Sequence, residues 1–253
     1  MNISIIVLAA GLGKRMANPD LPKVLVKFNN KPLLFYVLKS AVALAPHRIC
    51  IVVGHKKELI SNYVFSAFRL HCPDVPMDKF VFAEQKEQIG TADAVNSARP
   101  FFMEEQQDIL ILSGDVPMLT SDTLLKFSEL HRADNSDISV LTADAPNPMG
   151  YGRIVRDSEE HFLRIVEEKD ATEDERNIVE INSGVYLLDS HLLFSLLNQV
   201  DNKNQQGEYY LTDIIGIAAG QDKKVSAYNI ARFDEIQGVN TPEQLQGLKF
   251  DDV

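Results

Sequence analysis

Tryptophan is missing from this 253-residue chain and cysteine nearly so: Cys50 and Cys72 stand alone, without CxxC spacing. Two isolated thiols build no disulfide framework, and they read as reduced and inert. Cationic excess is missing too. Lys and Arg number 25 against 36 Asp and Glu, a formal net charge of −11. That balance argues against non-specific binding to nucleic acid or anionic membrane, while leaving room for a local basic patch that takes phosphorylated metabolites. No basic stretch precedes a long apolar run at the N-terminus, so a secretory signal is not expected. No apolar segment is long enough to span a bilayer. The expectation is a cytoplasmic chain without membrane insertion; oligomeric state leaves no mark in the sequence.

What the chain does hold is apolar material for a substantial core, 45% of its residues. Strands are predicted at 3–8, 48–53, 79–83 and 109–112, with helices at 32–44, 56–67 and 91–98 between them. The second half is less regular. It reads as helix 124–131, strand 137–142, a Pro/Gly-rich loop 146–153, strands 162–166 and 178–188, helices 192–197 and 210–219, and strand 225–228. Short β-branched runs alternating with helical patterns predict a largely parallel, three-layer α/β sheet.

The most informative stretch is ISIIVLAAGLGKRM, residues 3–16, with Pro22-Lys23 shortly after. A buried strand there empties into small residues, two glycines and adjacent cations. Glycine admits tight turns and close ligand approach, and successive N–H groups can line an anion-binding concavity. Arg15 can grip phosphate through its planar fork, and Lys23, with Pro22 stiffening the backbone before it, is a compact cation for a substrate phosphate. A nucleoside triphosphate is the favoured guest; a strand-to-helix turn with solvated cations is the plainer alternative. The spacing is neither GxxxxGK[ST] nor GxGxxG, since Met16 stands where the last glycine would fall.

Later groups carry chemistry, each beside a plainer reading. Gln85 and Gln88 offer donor and acceptor atoms that can read a base edge, or can furnish a polar loop. Thr91 is expected to cap the helix that follows Gly90. Asp115 follows the strand DILIL and can hold Mg²⁺ at the carboxyl end of the sheet, or sit in a solvated turn. Asn240 can complete such a site, or form a turn or cap before Thr241-Pro242. The segment MGYGRI, residues 149–154, suits a hairpin turn or close approach of backbone to a sugar. Glu167 and Asn182 can bond sugar hydroxyl and N-acetyl groups, or be a surface acid and a turn amide. In QGEYYLTD the tyrosines read as packing anchors, with the block organising a sugar pocket or backing it. The six histidines form no catalytic or zinc motif.

Together LAAGLGKRM with LPKVL, QKEQIGTADAV, GDVP, GYGRI, IVEEKDAT, EINSGVY, QGEYYLTD and GVN resemble one family over nearly the whole chain, to about Asn240. It is the uridylyltransferase domain of the bifunctional N-acetylglucosamine-1-phosphate uridylyltransferase/glucosamine-1-phosphate acetyltransferase family. The resemblance implies a Rossmann-like nucleotide-diphospho-sugar transferase fold with a mixed, mostly parallel sheet. It implies Mg²⁺-dependent transfer of UMP from UTP to N-acetylglucosamine 1-phosphate, with both substrates as partners. By the same resemblance Arg15 and Lys23 are catalytic phosphate contacts. Leu8, Ala9, Ala10, Gly11, Gly13, Gln85, Gln88, Gly90 and Thr91 receive nucleotide, and Gly152, Glu167 and Asn182 meet the sugar. Asp115 and Asn240 hold Mg²⁺, while Glu168 falls outside the matched ligand position. Residues 1–253 then form one nucleotidyltransferase domain, about 1–118 for nucleotide and 119–240 for sugar and closing elements. The chain departs from the family at Ser113, where relatives can carry tyrosine, and at Thr241-Pro242. No hexapeptide-repeat pattern is present, so acetyl transfer is not implied. A different sugar 1-phosphate or nucleotide, or a non-catalytic nucleotide-sugar sensor, is the competing reading.

Overall fold

A central strand in a parallel sheet is buried on both faces, and ISIIVL meets that demand. The computed structural model describes residues 2–11, 13, 16, 21–54 and 56–248. In it Ile3–Leu8 form β1, with the first five residues buried. A short hairpin follows, β2 (Lys27–Phe28) and β3 (Lys31–Pro32), then α1 (Leu33–Ala43) and β4 (Ile49–Val53). Next, α2 (Lys57–Tyr63) runs through a π-helical segment, Val64–Phe68, into α3 (Arg69–His71). The first half closes with β5 (Phe80–Glu84), α4 (Thr91–Asn96) and β6 (Asp108–Ser113). The second half holds α5 (Ser121–Ala133), β7 (Ile138–Asp144), β8 (Arg153–Arg156), β9 (Phe162–Val166) and α6 (Glu173–Arg176). It ends with β10 (Glu180–Asp189), α7 (Ser190–Leu197), α8 (Asp213–Ala219), β11 (Val225–Asn229) and α9 (Pro242–Gly247).

The sheet order is β11-β7-β10-β6-β1-β4-β5. Every neighbouring pair on this path is parallel except those of β10, which runs against both β6 and β7. The hairpin β8–β9 attaches to β10 through Arg153 opposite Ile181. Alternation along β1 sorts the core. Ile3, Ile5 and Val7 pack with Leu34, Ile60 and Phe127 on one face, and Ile6 packs with Val95, Phe194 and Ile214 on the other. Helices α1, α2 and α5 thus cover one side and α4, α7 and α8 the other, which makes the three layers expected of the pattern. The chain lays β4 and β5 on one side of β1, then returns to place β6 on the other. The crevice beyond the carboxyl ends of β1 and β6 is therefore a topological switch point, where open α/β sheets receive ligands. Among the described residues no helix is long and apolar enough to cross a membrane.

Three short elements were not expected. The β2–β3 hairpin occupies a stretch with no predicted element, and Asn29 and Asn30, at φ 45° and 63°, supply the left-handed pair of its turn. Strand β8 starts inside the predicted 146–153 loop, because Arg153 pairs with both Val166 and Ile181. Helix α6 is started by a capping box between Thr172 and Glu175. The helix expected from 210 begins only at Asp213, because the backbone N–H groups of Tyr209 and Leu211 are bonded to the 89–91 segment instead.

Candidate functional site

The backbone of β1 leaves the sheet through Ala9, Ala10 and Gly11, and β6 exits beside it through Gly114 into Asp115. The Gly114 N–H donates to the Leu8 carbonyl at 2.9 Å and holds the two exits together. Leu8, Ala9, Ala10, Gly11 and Asp115 line a cleft of about 380 Å³. Gln85, Gln88, Gly90 and Thr91 enter its wall from the β5–α4 connection, and Lys23 from the 3-10 turn Lys23–Leu25. Gly13 stands behind Lys23 at φ 59°, and a Cβ there would lie 2.8 Å from that of Lys23, so close seating of the lysine needs glycine. Arg15 lies outside the described residues, as does Lys14.

Lys23 reaches both expected metal ligands. Its Nζ donates to Asp115 Oδ2 and, at 2.9 Å, to Asn240 Oδ1; the ion-paired side chains are only 14% and 17% exposed. Asn240 is brought there by the preceding residue, whose N–H donates to the Asp115 carbonyl at 2.9 Å. Two hard oxygens thus converge on one cation, here the ammonium. An oxygen pair that leaves further positions to water and phosphate fits Mg²⁺, which keeps several such ligands. No group of three or more His, Cys, Asp or Glu among the described residues suits a metal ion. Asn240 is not the helix cap: Thr241 caps α9, with Gln244 completing the capping box.

The two glutamines are held differently. Gln88 Nε2 donates to the Ala10 carbonyl at 2.6 Å and ties the β5–α4 connection to the exit of β1. Gln85, 4% exposed, donates through Nε2 to the Gly90 carbonyl at 3.0 Å and to Asp93 Oδ2 at 2.9 Å. Gly90 has φ 140°, and a Cβ on it would lie 2.2 Å from the Tyr209 carbonyl oxygen. The expected Thr91 cap is absent. Gly90 takes the N-cap position, and Thr91 Oγ1 accepts from Leu211 N–H at 2.9 Å. The same strap carries the QGEYYLTD block to the β5–α4 connection as well as to the cavity that Tyr210 and Thr212 line. Tyr209 N–H bonds the Ile89 carbonyl at 2.8 Å and Ala92 N–H bonds the Tyr209 carbonyl at 3.0 Å, which carries Glu208 into the cleft. Ser113, Val24 and Ala94 also line it. Val24 and Ala94 carried no polar signal in the sequence, and Ser113 stood out only as a departure from the family.

The three sugar-side residues come together outside that lining. Asn182 N–H donates to the Gly152 carbonyl at 2.9 Å, and Arg153 pairs with Val166, which sets Gly152 opposite Glu167 one step on. The Asn182 amide is engaged within its own strand, donating to Tyr186 Oη at 2.6 Å and accepting from Gly184 N–H at 3.0 Å. Glu167 accepts from Thr212 Oγ1 at 3.0 Å; burial pushes its carboxyl above the usual range. It faces a larger cavity, about 510 Å³, that shares no lining residue with the first cleft and also holds Asp213, whose carboxyl burial raises to about 6. Two residues on from Asn182, a Cβ on Gly184 would lie 3.4 Å from Ser113 Oγ, which lines the first cleft. Glu168, set aside by the motif match, has a structural task. It accepts from Gly150 N–H at 2.9 Å and from the buried Arg153 at 2.7 Å, fixing the 150–153 turn.

Known proteins resemble this chain in sequence and in fold. The bifunctional protein GlmU of Streptococcus agalactiae serotype V is 42% identical over 235 residues, covering 93% of this chain and 48% of that protein. The protein of the same name from Streptococcus sanguinis is 41% identical with the same coverage. The chain thus spans about half the length of the curated relatives it matches. A solved UDP-glucose pyrophosphorylase complexed with UDP-glucose shares the fold, with a TM-score of 0.78 at 18% identity over 97% of this chain and 96% of that one. The resemblance read from the motifs and the Rossmann-like fold both hold. A nucleotidyl transferase model matches residues 4–234, from β1 through β11, and the chain belongs to that family.

Proposed function

We propose that the chain is a Mg²⁺-dependent sugar-1-phosphate uridylyltransferase, moving UMP from UTP to N-acetyl-α-D-glucosamine 1-phosphate with release of pyrophosphate. One observation carries the reading: the β1 exit, Lys23, Asp115 and Gln85 surround a single cleft at the switch point of the sheet, and Lys23 ties the Asn240 oxygen to Asp115 there. In this reading the Ala9–Gly11 backbone receives the phosphate chain and Arg15 adds a cation. Lys23 draws the acceptor phosphate toward the α-phosphorus, lowering the repulsion between two anions. Gln85 and Gln88 meet the base; Gly152, Glu167 and Asn182 meet the sugar, whose phosphate enters past Ser113. The acceptor phosphate oxygen is already anionic, attacks the α-phosphorus and displaces pyrophosphate, so no general base is required. Mg²⁺ held by Asp115 and Asn240 would screen phosphate charge as it shifts onto the leaving group. Positioning and preorganised charge do the rest. About residues 1–118 supply the nucleotide side, which Glu208 joins, and 119–240 the acceptor side and closing elements.

A pyrophosphate-release matrix tests this. Purified protein with Mg²⁺ is assayed with UTP, CTP, ATP and dTTP against N-acetylglucosamine, glucose and galactose 1-phosphates, and products are identified. The expected maximum is UTP with N-acetylglucosamine 1-phosphate. A maximum with another acceptor replaces the sugar assignment, and no pyrophosphate from any pair overturns the enzymatic reading.

A further inference from the structure

Gln85 is nearly sealed from solvent yet lines the cleft, and its amide has no freedom of orientation. Both acceptors of its Nε2 protons, the Gly90 carbonyl and the Asp93 carboxylate, can only accept, so the nitrogen must face them. Among the described residues nothing donates to Gln85 Oε1. One side of the amide is fully committed, and an acceptor oxygen is the part left for a ligand. Asp93 itself is not part of the cleft lining; it acts through the glutamine.

We infer that Asp93 is the positioning residue for base selection: by locking the Gln85 amide it presents the cleft with a fixed acceptor, which takes a pyrimidine with a ring N–H and disfavours cytosine. This rests on the uridylyltransferase reading and deepens it. The uracil ring carries a proton at N3, whereas cytosine carries a lone pair there, so a fixed oxygen attracts one and repels the other. An unlocked glutamine can turn over and offer its NH₂ to cytosine instead. A carboxylate is the partner best suited to prevent that, because a hydrogen bond to a charged group is the stronger kind.

The test measures UTP and CTP binding by calorimetry with Mg²⁺, and kcat/KM for each, in wild type, Asp93→Ala and Asp93→Asn. Wild type should prefer UTP. In Asp93→Ala the UTP:CTP ratio should fall roughly tenfold or more, the value of one charge-assisted hydrogen bond. Asp93→Asn, which still has an amide oxygen to offer Gln85, should lie between the two. A role confined to holding up helix α4 would weaken both nucleotides alike. An Asp93→Ala ratio within about twofold of wild type, or a wild type without preference for UTP over CTP, overturns the inference while leaving nucleotidyl transfer intact. A wild type that binds no nucleotide overturns the uridylyltransferase reading along with it.

Discussion

Replacing Lys23 with methionine separates the chemistry of the cleft from its stability. Methionine keeps the length and volume of the stem and deletes the ammonium that bonds Asp115 and Asn240. The ion pair is mostly shielded, so leaving Asp115 without its partner costs about 1–3 kcal/mol. For a chain of this size that lowers Tm by about 2–12 °C, which a melt checks before turnover is compared. Catalysis should suffer far more. A unit charge about 4 Å from a phosphate, at an effective dielectric near 20, contributes about 4 kcal/mol, or roughly three decades in kcat/KM. The nucleotide-free protein should respond in the opposite sense. With the ammonium gone, Asp115 Oδ2 and Asn240 Oδ1 are open to a cation, and Mn²⁺ as a probe should bind roughly tenfold more tightly. Pyrophosphate release, a thermal melt and Mn²⁺ paramagnetic resonance read the three effects. Turnover within about tenfold of wild type, in a folded variant, refutes the role of Lys23; unchanged Mn²⁺ affinity refutes its contact with the metal position.

Three other outcomes are expected. Gly90→Ala must relieve a Cβ placed 2.2 Å from the Tyr209 carbonyl oxygen at φ 140°, and should lose about 2–5 kcal/mol in urea unfolding. Glu168→Gln should raise KM for the sugar phosphate more than KM for UTP, because it loosens the 150–153 turn around a 1%-exposed Arg153, and should cost about 1–3 kcal/mol at neutral pH. The bond from Gly150 N–H, then Arg153, holds the Glu168 carboxyl below its ordinary value of 4.5. Its stabilisation is therefore present above about pH 4.5 and fades as pH falls through the lowered pKa, where wild-type and Glu168→Gln melts should converge. Asp213 behaves oppositely: burial first, then Glu167, lifts its carboxyl from 3.8 to about 6. The folded state holds that proton more tightly, so stability falls as pH rises from about 4 to 6, and Asp213→Asn should flatten that part of a Tm–pH curve.

Much of the cleft was legible because its parts are backbone events with strong sequence signals. The apolar run ending in Ala9-Ala10-Gly11, Asp115 two residues beyond the end of β6, and Gly90 before a helix all sit at carboxyl ends of parallel strands or at the helix start beyond one, where ligand-facing loops must be. The β8 strand was not legible: RIVR carries no turn signal of its own, and it is a strand only because β9 and β10 lie on either side. The Thr91 cap failed for a related reason. Local preference placed the hydroxyl on the helix N-terminus, and a backbone N–H from residue 211 claimed it.

Composition and pattern alone determined the class of fold, the three layers and which loops open onto the ligand crevice, because the periodicities of strand and helix and the demands of glycine are local. Only the tertiary structure decided that Lys23 stands between Asp115 and Asn240, that Glu208 lines the cleft at the switch point, and that Asp93 and Glu168 hold other side chains in place. Those contacts join residues that are far apart in the chain, or turn on the aim of a single amide or carboxylate, and hydrogen-bond partners are chosen by geometry that no linear pattern contains.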